Sequence, residues 1–280
     1  MICKFCKSEK VFKFKSFSSP YFSNKDFTLY ICDNCSSQFF DINQHQISLN
    51  RLYEKLAKNK NDIPLDFSIK QYWEDQKKMI FGLIDKQPIS IIDIGCRTGD
   101  FLMHFKKTIE REGVEISNYY SEIASKRGLK IYNSNFQNTH FEKKYDIVSA
   151  YNILEHIVNP IDFLKRVSSI VNKNGLFVIL IPIFNCLKVK FLTKLNIKWH
   201  MYIPPEHLNF FSKRFLDSYL NHLGFKLVKR YYSSGGLINP FRRIPIINGV
   251  FSKFMFYYDK SLFNKLPIFD HLFSYYKKIL

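Results

Sequence analysis

The residues best equipped for chemistry begin with cysteine. Four of the six cysteines fall in two Cys-x-x-Cys pairs, Cys3 with Cys6 and Cys32 with Cys35. Strand-like runs lie between the pairs, Val11 to Phe14 and Phe27 to Ile31. Two such knuckles carried on hairpins bring four thiolates into a tetrahedron, the arrangement of a structural Zn2+ ribbon. A unit of this size, residues 1–43, buries too little apolar surface to fold unaided, and metal ligation would supply the difference. Two disulfides or a redox pair are the competing readings. A reducing cytosol disfavours the first, and the lack of a βαβ context disfavours the second. Cys96 and Cys186 sit in apolar or turn contexts and read as inert core thiols.

The second constellation is Ile89 to Asp100, Ile-Ser-Ile-Ile-Asp-Ile-Gly-Cys-Arg-Thr-Gly-Asp. Its β-branched run reads as a strand buried on both faces. It runs into Gly95 and Gly99, and then into Phe101 to Phe105, whose apolar spacing suits a helix. Strand, glycine turn and helix form a cofactor crevice at the carboxyl edge of an open parallel sheet. Glycine lets the backbone approach a ligand, and a helix start offers free N–H groups to an anion. By itself such a turn fits dinucleotides, nucleotides or S-adenosylmethionine. The next acidic residue, Glu115 in Gly113-Val114-Glu115-Ile116, ends a second strand and is placed to accept from a pair of ribose hydroxyls.

Asp93-x-Gly95-x-x-x-Gly99 followed by Gly113-Val114-Glu115 resembles a class I S-adenosylmethionine-dependent methyltransferase. Tyr145 to Val148, Leu154 to Pro160 and Gly175 to Val178 resemble later landmarks of that family, in order. The resemblance covers about Met1 to Tyr231 and implies S-adenosyl-L-methionine as cofactor. Its expected neighbours are Asp93, Gly95, Arg97, Gly99, Glu115 and Ile116. Asn135 and Phe136 fall where the family places residues beside the adenine ring, and Tyr151 and Asn152 where it faces the methionine part and the acceptor. Arg97 departs from the pattern, since most relatives carry glycine there. Its guanidinium could face the cofactor carboxylate. If that backbone needs positive φ, a side chain costs about 1–2 kcal/mol.

Pro205 to Ser212 resembles the Glu-His-Leu segment, followed by aromatics, of bacterial methyltransferases that join a zinc ribbon to this fold and act on sugars. The resemblance implies His207 as general base, with Glu206 orienting the imidazole and raising its pKa. The bland reading of the segment is a loop before the next helix. His156, in Leu154-Glu155-His156, reads as a locally hydrogen-bonded packing residue, and His200 as a weaker rival base.

The elements that must position these residues follow from periodicity. The expected fold class is α/β: a Rossmann-like seven-stranded methyltransferase sheet, a small N-terminal zinc ribbon and a C-terminal helical or irregular tail. The expected divisions are a ribbon over 1–43, a linker over 44–66 with some helix around Leu52 to Ala57, a methyltransferase domain over 67–236 and an aromatic, basic tail over 237–280. Ile69 to Ile84 has helical spacing, and Tyr72 or Trp73 on it could form part of a lid. Helices follow at Tyr119 to Arg127, from Pro160, and from Ser212 to Leu223 with Ser212 as N-cap and Gly224 after it. Strands follow at Leu129 to Tyr132, Tyr145 to Tyr151, Leu176 to Ile181 and Phe225 to Val228. The closing strand is obscure, with only Leu237-Ile238 to suggest one.

Composition bounds the partners. With 46% hydrophobic residues the chain can bury a sizeable core. A formal charge of +18 implies attraction to nucleic acid, an anionic membrane surface or a phosphorylated substrate, unless it reflects the Lys-, Asn- and Ile-rich usage of an AT-rich genome. The first reading of function is methyl transfer to a hydroxyl of a small molecule, a sugar or cell-surface glycoconjugate. The others are an RNA methyltransferase and a degenerate fold kept as a binding module; no nucleic-acid recognition module is visible. No apolar leader follows Met1, so the expected place is the cytoplasm. Phe241-Arg242-Arg243, Phe251 to Tyr258 and Lys277-Lys278 would set the protein at the inner membrane surface if they act as an interfacial segment.

Overall fold

The computed structural model describes residues 1–42, 48–59, 67–233 and 262–280. Strands β1 (Val11–Ser18), β2 (Asp26–Cys32) and β3 (Gln38–Phe40) form an antiparallel meander between the cysteine knuckles. Helix α1 (Leu49–Asn59) falls within the expected linker, and α2 (Phe67–Leu83) follows it. The chain then alternates β4 (Ser90–Ile94), β5 (Glu110–Val114), α3 (Asn118–Lys126), β6 (Lys130–Tyr132), β7 (Tyr145–Tyr151), α4 (Pro160–Ile170) and β8 (Val171–Pro182). It closes with α5 (Leu187–Lys194), β9 (Asn209–Phe210), α6 (Lys213–His222), β10 (Phe225–Ser233) and β11 (His271–Lys278).

Seven strands form one sheet in the order β10-β11-β8-β7-β4-β5-β6. The pairs from β8 to β6 are parallel, and β11 runs antiparallel to both neighbours. The central parallel strands are buried on both faces, whereas β5 and β6 at the edge are partly exposed. All five residues of β4 and the first six of β7 are buried. Ser212 caps α6 by accepting from the Phe215 amide, and Gly224 takes φ 82 after it, as its position in the sequence predicts.

Two expectations change. Phe101 to Phe105 is a single 3-10 turn over Leu102–His104, not a helix. Only residues 101–109 separate the glycine turn from β5, and returning along a five-residue strand by helix takes about eleven residues at 1.5 Å each. The apolar residues Phe101, Leu102 and Phe105 are buried all the same. The closing strand is β11, inside the region expected to be a tail. Leu237-Ile238, Phe241 to Arg243 and Phe251 to Tyr258 lie outside the described residues. Lys277 and Lys278 are committed within the fold, Lys277 to Asp85 and Lys278 to Ser168 and the Leu223 carbonyl. Among the described residues no helix is long and apolar enough to cross a membrane.

The ribbon does not stand apart. β3 pairs with β9, so the small sheet has order β1-β2-β3-β9 and ends on a strand from the far side of the sequence. Phe5 packs on Phe211 and Phe215, and Phe40 on Phe210 and Tyr202. The Ser212 hydroxyl donates to the Cys35 carbonyl, and Tyr202 to Gln38 at 2.7 Å. The knuckle and the segment before α6 therefore share one core.

Candidate active site

The four cysteine sulfurs all lie within 4.8 Å of one another. Cys3 is 3.7 Å from Cys35, and Cys6 is 3.6 Å from Cys32. A tetrahedron with Zn–S bonds of about 2.3 Å has edges of about 3.8 Å. All six cysteines are free thiols. The Cys35 thiol, hydrogen-bonded to Cys3, draws the Cys3 pKa down. The donor set fits a structural zinc ion.

At the carboxyl edge of the large sheet, Gly95 and Gly99 take φ 74 and φ 76. A Cβ would meet Ile153 Cδ1 at 2.1 Å from Gly95 and Leu129 Cδ1 at 2.2 Å from Gly99, side-chain ends that could shift, so it is the backbone conformation that calls for glycine. Arg97 between them also takes positive φ, 49°. Its guanidinium lies 4.8 Å from the Tyr120 ring centre and donates to the Tyr120 hydroxyl at 3.0 Å. It is held against Tyr120 of α3 by this contact. Arg97→Gly should relieve about 1–2 kcal/mol of backbone strain against roughly 0.5–1 kcal/mol of lost cation–π contact. Calorimetry with S-adenosylmethionine should therefore show affinity unchanged or tighter. Weaker binding would return the guanidinium to the cofactor.

Glu115 stands where β5 ends. One carboxylate oxygen accepts the Arg97 amide at 2.9 Å and the other the Ser117 amide at 2.8 Å. The side chain thus ties the glycine turn to the start of α3, while its oxygens keep acceptor capacity for further donors. Burial raises its pKa, opposed by those amides. Ile116 follows it in the β5–α3 turn, and Asn133 donates to the carbonyls of Glu115 and Ile116. Asp93 is buried in β4, accepts from Ser149 at 2.7 Å and is pushed up to about 7 by burial. Asn135 caps a short 3-10 turn by accepting from the Gln137 amide. Phe136 does not present a free aromatic face: its ring is buried against Phe163 and Phe141.

The end of β7 carries several unpaired polar atoms. The Tyr151 hydroxyl, Asn152 Oδ1 and Glu155 Oε2 are all buried without a hydrogen-bond partner among the described residues. Asn152 takes φ 53, a conformation asparagine tolerates better than most residues. Trp73 of α2 packs across Tyr151 and Phe101, with ring centres 5.1 and 5.2 Å away, and so roofs this edge. Orphaned buried polar groups are uncommon in folded proteins, and three of them within five residues of the end of β7 mark this carboxyl edge as a candidate ligand site.

The catalytic pair expected at Glu206 and His207 is not formed. Glu206 sends its carboxylate to the Tyr21 hydroxyl in the ribbon. His207 is buried, contacts the Met201 carbonyl through Nδ1 at 3.0 Å, and has its pKa lowered well below the usual range, chiefly by burial and next by His156. A base with a pKa raised towards neutrality is therefore not what the fold makes of it. His156 is not a local packing residue either. Its Nδ1 is 2.6 Å from the Glu206 carbonyl, and its ring is edge-on to His207 at 4.9 Å. Glu155, beside it, is 2% exposed and pushed up to about 8 by burial. His200 lies elsewhere, near Asp270. The Tyr21 and Tyr53 contacts to Glu206 and His156 were missed because each joins segments 103 to 185 residues apart.

A family model described as a methyltransferase domain matches residues 68–230, more than half of the chain. The chain belongs to that family. An uncharacterized protein of Methanocaldococcus jannaschii is 27% identical over 139 residues, which cover 49% of this chain and 65% of that protein. The match thus spans less than two thirds of that relative. Among solved structures, a SAM-dependent methyltransferase of Thermotoga maritima superposes with TM-score 0.50 at 15% identity, covering 82% of this chain and 98% of the other. The magnesium protoporphyrin IX methyltransferase of Synechocystis, with bound SAH, gives TM-score 0.51 at 10% identity, covering 81% and 94%. At such identities the likeness is one of fold, and the methyltransferase fold is what the strand order already describes.

Proposed function

We propose that this methyltransferase-family chain binds S-adenosylmethionine at the carboxyl edge of the large sheet and transfers its methyl group to a hydroxyl of a small molecule, a sugar or glycoconjugate. The observation that carries the reading is the row of unpaired polar atoms from Tyr151 to Glu155, next to a glycine turn spanned by Glu115. Gly95 and Gly99 leave room for the cofactor's methionine part, and Glu115 accepts from the ribose hydroxyls. Tyr151 and Asn152 face the reacting end, and Trp73 keeps water from it. The hydroxyl oxygen attacks the sulfonium methyl as the S–CH3 bond breaks, releasing S-adenosylhomocysteine, and the hydroxyl proton passes to a base at the acceptor side. The methyl is already activated, so positioning and desolvation supply most of the rate. The sugar assignment rests on the resemblance of the ribbon and of Pro205 to Ser212 to sugar methyltransferases.

Glu115→Ala tests the cofactor site. Removing a charged acceptor should weaken S-adenosylmethionine by about 1.5–3 kcal/mol, which calorimetry reads directly. The variant also frees the Arg97 and Ser117 amides, so the turn loses its tie. Affinity equal to that of the unmodified protein would move the ribose out of this position.

A further inference from the structure

Glu155 and His156 lie in the turn after β7, and His207 lies in the loop before β9. Backbone bonding locks the two segments together. The Leu208 and Asn209 amides both donate to the Glu155 carbonyl, at 2.6 and 3.1 Å. The Asn209 side-chain amide donates to the carbonyls of Leu154 and Ile157, at 2.9 and 2.6 Å. The result is a convergence: one ligand atom each from Glu155, His156 and His207 lie within 4.8 Å of one another.

The tautomers sharpen this. A carbonyl can only accept, so the contacts of His156 Nδ1 with the Glu206 carbonyl and of His207 Nδ1 with the Met201 carbonyl place the proton on Nδ1 in both rings. In a neutral imidazole so oriented the lone pair is on Nε2, and His156 Nε2 stands 4.0 Å from Glu155 Oε1. A backbone carbonyl on the second ring nitrogen is how proteins orient imidazoles that ligate metals. Glu155 Oε2 is buried and has no hydrogen-bond partner, and no lysine or arginine pairs with Glu155 among the described residues.

We infer that Glu155, His156 and His207 form a site for a divalent first-row cation, separate from the four-cysteine centre. Two imidazoles and one carboxylate suit Mn2+, Fe2+ or Zn2+ and leave coordination positions open. Asn152, three residues before Glu155 and with its own Oδ1 unpartnered, places the site next to the end of β7. If the methyl-transfer reading above holds, an open position would take the acceptor's hydroxyl oxygen. The inference deepens that reading, but the cation site stands on its own geometry.

The test is metal binding by the full-length protein, dialysed against a mild chelator and titrated in separate cells with Mn2+ and with Zn2+. Mn2+ prefers oxygen and nitrogen to thiolate, so it reads this site and not the cysteines. The expected result is one bound Mn2+ by electron paramagnetic resonance, or one zinc beyond that of the ribbon. Glu155→Gln and His207→Gln should each lose it, with a weakening greater than the roughly 10–100-fold that an outer-sphere partner costs. Retention of the ribbon zinc in these variants reports that they are folded. No cation beyond the ribbon zinc in the unmodified protein would overturn the inference, as would an extra cation that survives both substitutions. Methyl transfer is not read, so either outcome leaves the cofactor test with Glu115→Ala independent.

Discussion

A chain ending at Gly236 should fail to fold. It lacks β11, which fills the space between β10 and β8 and pairs with both over nearly its whole length. Leu272, Phe273, Tyr275 and Tyr276 on it are buried. Burying Leu272 and Phe273 alone contributes about 1.5–3 kcal/mol each, and the two tyrosines add comparable apolar area. A domain's whole stability is about 5–15 kcal/mol, so the loss approaches or exceeds it. Removal also takes from Gln76 of α2 the hydroxyl of Tyr275 that donates to it, while its bond to the Tyr231 hydroxyl stays. The expected outcome is insoluble protein, or soluble protein without a cooperative thermal transition by circular dichroism. A truncated chain that melts like the full-length one would show that β11 is dispensable. The same point governs any study of membrane association, since deleting everything after Gly236 removes a sheet strand along with the basic segments.

The second large effect concerns zinc. Replacing Cys3 or Cys32 with serine should release one equivalent of zinc and lower the melting temperature by well over 10 °C, since structural zinc contributes about 10–16 kcal/mol in small isolated modules and about 1 kcal/mol moves a midpoint by roughly 2–4 °C in a chain of this size. Cys96→Ala should keep the metal. The consequence reaches beyond the ribbon. The Cys35 carbonyl, the Ser37 hydroxyl and Phe40 hold Ser212, Leu208 and Phe210, and Glu206 is held by Tyr21. Releasing zinc should therefore loosen the loop that carries His207, while Glu115 and the glycine turn keep their own contacts. Metal analysis with calorimetry on one sample checks both parts: zinc lost, S-adenosylmethionine affinity largely kept. Full zinc content in the serine variants would remove the four-cysteine centre.

Local sequence determined much of this protein. The Cys-x-x-Cys pairs, the glycine turn with Glu115, the buried run of β7 and the cap at Ser212 are each written in a few adjacent residues. Their conformations follow from those residues' own chemistry: a thiol pair at chelating spacing, a backbone free to take positive φ, a side chain that reaches its own helix start. That is why the fold class was legible in the sequence.

What tertiary structure decided lies wherever partners come from distant segments. β11 has no clear run of its own because an inner strand is selected by the two strands beside it, and its burial is settled only when β8 and β10 are in place. Phe136 reads as an adenine neighbour, and its ring is packed in the core against Phe141 and Phe163. Arg97 is drawn to Tyr120, and Glu206 to Tyr21, 185 residues away. The same long-range contacts unmake the pair expected at Glu206 and His207 and set His207 beside His156 and Glu155 instead. Adjacency along the chain fixes neither the direction of a side chain in a loop nor the dielectric around it. Both are set by which other elements pack there, and burial by those elements lowers the His207 pKa and raises that of Glu155.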